Sequence, residues 1–193
     1  MSTTSIASIP AFDDTVCQGD IFKNVKYSYI DSESDDSVDV IEYEFPLAVV
    51  ISQACDVVAM DEIVSSGKGK PTKFMPSILL CPIYDKNTTK SGEYVYDVFD
   101  KLSLSIEKDP VCSSSEWKVA QKDWHYRFHA LEIKVDDKTV IKDSAVDFKH
   151  YFSVPMSYLV SHKEDRVYHL DDLFAEQLTL KFATYLSRVA IPD

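Results

Sequence analysis

The sequence predicts a β-rich (α+β) fold, a small barrel or folded sheet with loop insertions and one packed C-terminal helix. Glycine is scarce, at 4 of 193 residues, whereas the chain has 11 Tyr and 10 Phe, and aromatic residues favour strands. Several segments alternate between apolar and polar residues with the period of two of a half-buried strand. Near the C-terminus, apolar residues recur instead at helical spacing.

A single domain is predicted over residues 17–193, preceded by a loose leader at residues 1–16. Its first strand should begin near Gln18 and lead into an exposed acidic loop insertion near residues 31–39. The run from Val40 to Phe45 then alternates, which predicts a strand with one buried face.

Two continuous apolar runs predict strands that are buried on both faces. The first extends from Leu47 to Ile51 and the second from Ile78 to Ile83. Between them, residues 60–77 contain Gly, Lys and Pro, so we expect a mobile loop insertion there. Strand pieces and a short helix are expected between Tyr94 and Leu104.

The C-terminal third begins with a long alternating stretch, Trp124–Val135, which predicts a strand. Asp136 and Asp137 favour a hairpin turn after it, and short strands are expected near residues 150–154 and 166–170. The last element is the predicted helix near residues 171–189. Its apolar stripe consists of Phe174, Leu178, Phe182, Leu186 and Val189, and Asp171 or Asp172 could cap its N-terminus.

The charge balance argues against a nucleic-acid binder. The chain has 32 acidic and 20 basic residues, for a formal charge of −12, and residues 1–126 contain no arginine. Affinity for nucleic acids depends on neutralising phosphates. An acidic surface instead favours a basic protein partner.

No targeting or membrane segment is predicted, because the longest apolar stretch, Leu47–Ile51, is far shorter than a bilayer span. We therefore expect a cytoplasmic protein with no membrane association. Its four cysteines should stay reduced there. Their wide spacing favours neither a disulfide framework nor a zinc site, so no metal and no cofactor are predicted.

Three short motifs resemble the PemK/MazF family of bacterial toxins. They are Gly19-Asp20-Ile21, the segment from Pro46 to Ser52, and Cys81-Pro82-Ile83. The resemblance implies an SH3-like, PemK-like barrel and membership of a bacterial toxin-like or antiviral defence-type system.

The catalytic positions of that family are not retained here. The family's catalytic Arg precedes the Pro of the second strand, where this chain has Phe45, and its Thr or Ser after Pro-x is Tyr84 here. Transcript cleavage needs a general base, a general acid and a cation. The leading hypothesis is therefore a non-catalytic interaction or regulatory protein that binds a protein partner.

Polar residues directly follow the first continuous apolar strand. Ser52, Gln53, Cys55 and Asp56 form a candidate binding site at this strand end. In a hydrolase, Cys55 would be the nucleophile, Asp56 would orient a histidine such as His169, and Gln53 would stabilise an oxyanion. Alternatively, Cys55 is a buried free thiol and Asp56 caps a turn, or Gln53 and Asp56 bind a partner's backbone.

A divergent endoribonuclease is the other enzymatic alternative. It would use His125, Arg127 and His129, which share one face of the predicted strand. The two histidines would lie about 13 Å apart along a strand, too far for one metal ion. The simpler interpretation is a solvated face of the sheet.

Overall fold

The computed structural model describes residues 3–34, 36–101, 105, 107 and 109–188. Within these ranges the chain forms eight strands and six α-helices. The strands are β1 (Thr3–Ser8), β2 (Asp20–Glu33), β3 (Val38–Val50), β4 (Ile78–Asp85), β5 (Phe128–Val135), β6 (Lys138–Asp147), β7 (Phe152–Val154) and β8 (Arg166–Leu170). The helices are α1 (Ala54–Ser66), α2 (Lys86–Ser91), α3 (Glu93–Lys101), α4 (Ser114–Gln121), α5 (Met156–Ser161) and α6 (Asp172–Leu186).

The strands form one sheet in the order β3-β2-β8-β1-β5-β6-β4-β7. Because β4 also pairs with β3, the pairings close a barrel-like ring, with β7 attached to β4. All pairs are antiparallel except β1 with β5. The prediction of a strand-rich α+β fold is confirmed at this level.

The prediction of a loose leader at residues 1–16 is wrong for residues 3–8. Residues 3–8 form β1, which lies between β5 and β8 within the sheet. Its inward side chains are small, because Ser5 and Ala7 are buried whereas Ile6 is exposed. The strand therefore has no apolar alternation, and its backbone hydrogen bonds fix it instead.

Both predicted loop insertions are shorter than expected. β2 and β3 continue as a hairpin until Glu33 faces Val38, so the acidic insertion at residues 31–39 is mostly strand. Residue 35, at its tip, lies outside the described ranges. The insertion at residues 60–77 begins as the C-terminal half of α1, which ends at Ser66 and is followed by Gly67 in the left-handed conformation.

Other predicted elements differ mainly at their ends. The segment from Tyr94 to Leu104 contains α3 and no strand within its described part, and residues 102–104 lie outside it. β5 begins four residues later than predicted, at Phe128. Asp136 and Asp137 form the predicted turn with positive φ angles. α6 confirms the C-terminal helix up to Leu186.

The core of the ring is covered by α6. Its buried apolar side chains come from seven of the strands and include Ile21, Val49, Ile83, Leu131, Ile133, Val146 and Leu170, together with Ala175, Leu178 and Phe182 of α6. Helices α1 and α5 cover a second apolar cluster, and α4 covers a third. None of the helices in the described ranges is long and apolar enough to cross a bilayer.

Candidate functional site

A cavity of about 710 Å³ opens beside the paired strands β3 and β4 and is closed on one side by α3. We call it the aromatic cavity, because rings form most of its wall. These rings belong to Tyr27, Tyr43, Phe45, Tyr84, Tyr94, His150, Tyr151 and Phe152. Its size is in the range of small-ligand and side-chain binding sites.

Strand register places these rings together. Tyr27 of β2 faces Tyr43 of β3 in the hairpin, and Phe45 lies two residues further on the same face. The Phe45 ring stacks on Phe152 with centroids 4.2 Å apart, and Tyr84 stacks on Tyr94 at 4.0 Å. These stacked pairs give the cavity a preformed wall.

A buried ion pair supports the inner side of this wall. Asp147 is fully buried and accepts two hydrogen bonds from the Arg127 guanidinium, at 2.9 and 2.7 Å. The Tyr94 hydroxyl donates to the same carboxylate at 2.8 Å, and the backbone N–H of Lys149 donates at 3.0 Å. Desolvation of Tyr94, followed by the charge of Asp147, raises the pKa of its phenol, so the ring stays neutral.

The rim of the aromatic cavity carries more negative than positive charge. Its carboxylates are Glu44, Glu93, Asp97 and Asp100, and its ammonium groups are Lys101 and Lys149. Three of the carboxylates recur at four- and three-residue spacing on α3 and therefore share one helix face. Burial lowers the pKa of His150, which is consequently neutral at pH 7. Four carboxylates against two ammonium groups leave the rim acidic.

One ammonium group already lies on the aromatic wall. The Nζ atom of Lys101 is 4.5 Å from the centroid of the Tyr43 ring and donates a hydrogen bond to the Glu42 carbonyl at 2.6 Å. A cation over a tyrosine face is attracted by the ring quadrupole. The cavity therefore has both the rings and the acceptors that a basic side chain requires.

The predicted strand-end site is only partly assembled. Ser52 is buried and its Oγ accepts the Leu79 N–H at 2.8 Å, so it connects β3 to β4. Gln53 is exposed and immediately precedes α1, and Asp56 lies in the first turn of that helix. The Cys55 thiol is exposed rather than buried, and it donates to the Asp56 carboxylate at 3.8 Å.

His169 is not the partner of this thiol. Its Nδ1 atom hydrogen-bonds the Asp20 carboxylate at 2.8 Å, and this bond raises the pKa of His169. Asp20 also accepts from Arg166 at 3.1 Å and from the Cys17 N–H at 2.8 Å. Within the described residues, no histidine contacts Cys55. The motif Gly19-Asp20-Ile21 thus supplies a buried structural anchor.

The proposed endoribonuclease trio is divided between two places. Arg127 is held by Asp147, next to the aromatic cavity. His125 precedes β5, and its Nδ1 accepts the N–H groups of Arg127 and Phe128 at 3.1 and 3.0 Å. His129 is buried, so the expected solvated face is wrong. Both histidines line a separate cavity of about 290 Å³.

Sequence reasoning missed Tyr94 and His150, although it singled out two other positions of the aromatic cavity. Phe45 and Tyr84, where the resemblance places catalytic groups, both line it. They lie close together because Leu47 on β3 pairs with Ile83 on β4. The spacing of acidic residues along α3 is a signal that could have indicated the rim.

No group of three or more His, Cys, Asp or Glu side chains in the described part of the chain could hold a metal ion. No family model, curated protein or solved structure matches this chain.

Proposed function

We propose that this protein is a non-catalytic interaction protein whose aromatic cavity binds a lysine or arginine side chain of a basic protein partner. The observation that carries this proposal is the combination of a stacked aromatic wall with an acidic rim. Lys101, whose ammonium lies over Tyr43, occupies the kind of position that the partner's side chain would take.

The energetics favour a cation in such a site. One cation–π contact contributes about 0.5–1 kcal/mol at an exposed position and about 2 kcal/mol when it is desolvated. The rim carboxylates of α3 add attraction that salt weakens. The formal charge of −12 increases the association rate of a basic partner and repels a polyanion.

The place of the cavity supports a regulatory role in a bacterial toxin-like or defence-type system. By the resemblance to the PemK/MazF family, Phe45 and Tyr84 stand at the positions of that family's catalytic groups, and both line the aromatic cavity. In this proposal, the chain keeps the position of the family's site and uses it for binding.

The contacts favour binding over the two enzymatic alternatives. Arg127 donates both of its parallel hydrogen bonds to Asp147, so an endoribonuclease would have to break a buried ion pair to use it. The Cys55 thiol donates to the Asp56 carboxylate and contacts no histidine of the described residues, so the nucleophile–base pair that a hydrolase needs is not assembled there.

The experiment is a calorimetric titration of the full chain with a short capped peptide of alternating lysine and alanine. The double variant Asp97→Asn/Asp100→Asn should bind it about five- to tenfold more weakly, because two rim carboxylates are neutralised. Asp136→Asn/Asp137→Asn is the matched control. It changes the net charge equally at the β5–β6 turn, where asparagine tolerates positive φ.

Equal affinities of the two double variants would overturn the proposal, because only the net charge would then matter. Absence of binding to the unmodified chain would overturn it as well.

A further inference from the structure

A second cavity, of about 290 Å³, lies between α6 and the segment that precedes β5. We call it the Trp124 cavity. Its lining includes two exposed rings, Trp124 and Tyr126, and two cations of α6 and its C-terminal end, Lys181 and Arg188. It is locally basic in a chain whose formal charge is −12.

Within the described residues, Arg188 is the arginine that forms no ion pair with a carboxylate. Arg127 is paired with Asp147 and Arg166 with Asp20, whereas no carboxylate of the described residues lies within ion-pair distance of Arg188. Its guanidinium lies over the Tyr126 ring, 3.8 Å from the centroid. A guanidinium that lies over an aromatic ring can still donate hydrogen bonds from its edge to an anion.

The floor of the Trp124 cavity is electrically balanced. Asp123 forms an ion pair with Lys181 and a 2.8 Å hydrogen bond with His129 Nδ1. Lys181 Nζ also lies 3.2 Å from that nitrogen. Because the Asp123 charge is balanced by Lys181, no carboxylate in the described part of the chain compensates the charge of Arg188. Lys122 adds another cation beside the Trp124 ring, at 5.6 Å from its centroid.

The Trp124 ring is suited to stacking. It is 78% exposed at the edge of the cavity, whereas the Tyr126 ring already contacts Arg188 and His125. Stacking of a nucleic base on an aromatic side chain contributes about 1–3 kcal/mol. A ligand with one planar ring and one phosphate would use both the Trp124 ring and the Arg188 guanidinium.

We propose that the Trp124 cavity binds a single nucleotide, with the base stacked on Trp124 and the phosphate bound by Arg188. The net charge does not forbid this, because charges more distant than about 8 Å are largely screened at physiological ionic strength. The site is independent of the aromatic cavity and of the function proposed for it.

Tryptophan fluorescence tests this proposal directly. The chain has two tryptophans, and Trp117 is buried at 4% exposure. A Trp117→Phe variant therefore reports Trp124 alone, and it also removes a buried indole N–H that has no partner. Adenosine monophosphate should quench this signal saturably, while adenosine and inorganic phosphate, each lacking one half of the ligand, should bind at least tenfold more weakly.

In the same background, Arg188→Gln should weaken nucleotide binding about tenfold, whereas Lys138→Gln, on an exposed residue of β6, should leave it unchanged. Circular dichroism would verify that each variant is folded. Asp97→Asn/Asp100→Asn should not alter nucleotide binding, so failure here is distinguishable from failure of the peptide experiment. Unsaturable quenching, or equal binding of adenosine and adenosine monophosphate, would overturn the proposal.

Discussion

Two of the three arginines of this chain serve the fold. Arg127 and Arg166 each bind a buried carboxylate, Asp147 and Asp20 respectively. Removing one member of such a pair leaves an uncompensated charge, which typically costs about 3–5 kcal/mol. The absence of arginine from residues 1–126 is visible in the sequence. The ion pair of Arg127 with Asp147 is not visible in the sequence, because Asp147 lies twenty residues away on β6.

His129 gives the clearest pH-dependent prediction at the residue scale. Burial lowers its pKa to about 4, and the Asp123 charge beside it is balanced by Lys181. Between pH 6.5 and 4 the unfolded chain therefore binds a proton that the folded chain does not. Above pH 6.5 the His129 side chain is neutral in both states and does not lower the free energy of unfolding. As the pH falls from 6.5 to 4, protonation of His129 in the unfolded chain lowers the free energy of unfolding by about 3 kcal/mol.

The measurement is the difference in free energy of unfolding between the unmodified chain and His129→Gln, from urea denaturation between pH 7 and 4.5. Taking the difference cancels the pH-dependent contributions of the carboxylates and of the other histidines, which both proteins share. As the pH falls, the unmodified chain should lose stability relative to His129→Gln. If the stability difference between the two proteins does not change over this pH range, His129 has the same pKa in the folded and the unfolded chain.

At the scale of elements, Gly19 allows the turn before β2 to approach α6 closely. Its φ is +86°, and a Cβ atom there would come within 2.7 Å of the Ala175 Cβ on α6. Gly19→Ala should therefore cost about 2–4 kcal/mol, from backbone strain and from displacement of the helix. Gly67→Ala is the matched control, since its φ is +67° but nothing lies within 4 Å of the added carbon.

Denaturant unfolding of both variants measures this difference. Gly67→Ala should lower the free energy of unfolding by about 1 kcal/mol, from backbone strain alone. If the two alanine variants lose the same stability, the packing of α6 on Gly19 contributes nothing.

The elements also show which structural signals a sequence contains. The apolar runs predict the C-terminal end of β3 and most of β4, because strands buried on both faces must be apolar, although Ile51 follows β3 and the Val40–Phe45 run belongs to the same strand. β1 was missed because small Ser5 and Ala7 fill its inward positions. The start of α1 was missed because only Val57, Met60 and Asp61 of that helix are buried.

At the scale of the whole molecule, the candidate site combines segments that are distant in sequence. Phe45 and Tyr84 could be singled out because short motifs surround them. Tyr94 and His150 could not be singled out, because Tyr94 lies on α3, His150 lies in the turn after β6, and only the fold places them in the aromatic cavity. The acidic charge was evident from composition, but its concentration along α3 at the cavity rim depends on the fold.

The same scale separates the two cavities by charge. The aromatic cavity has an acidic rim and suits a cation. The Trp124 cavity carries Arg188, which pairs with no carboxylate among the residues that the structure describes, and it suits a small anion. One chain could therefore bind a basic partner and a nucleotide at different places without competition between them.

The most direct test of the account is to remove charge from the ligand and leave the protein unchanged. Calorimetry would compare the lysine–alanine peptide with the same peptide acetylated at every lysine. The account predicts saturable binding of the charged peptide, weakened by added sodium chloride, and at least tenfold weaker binding of the acetylated one. Equal binding of the two peptides, or tighter binding of a single-stranded RNA of matched length, would contradict it.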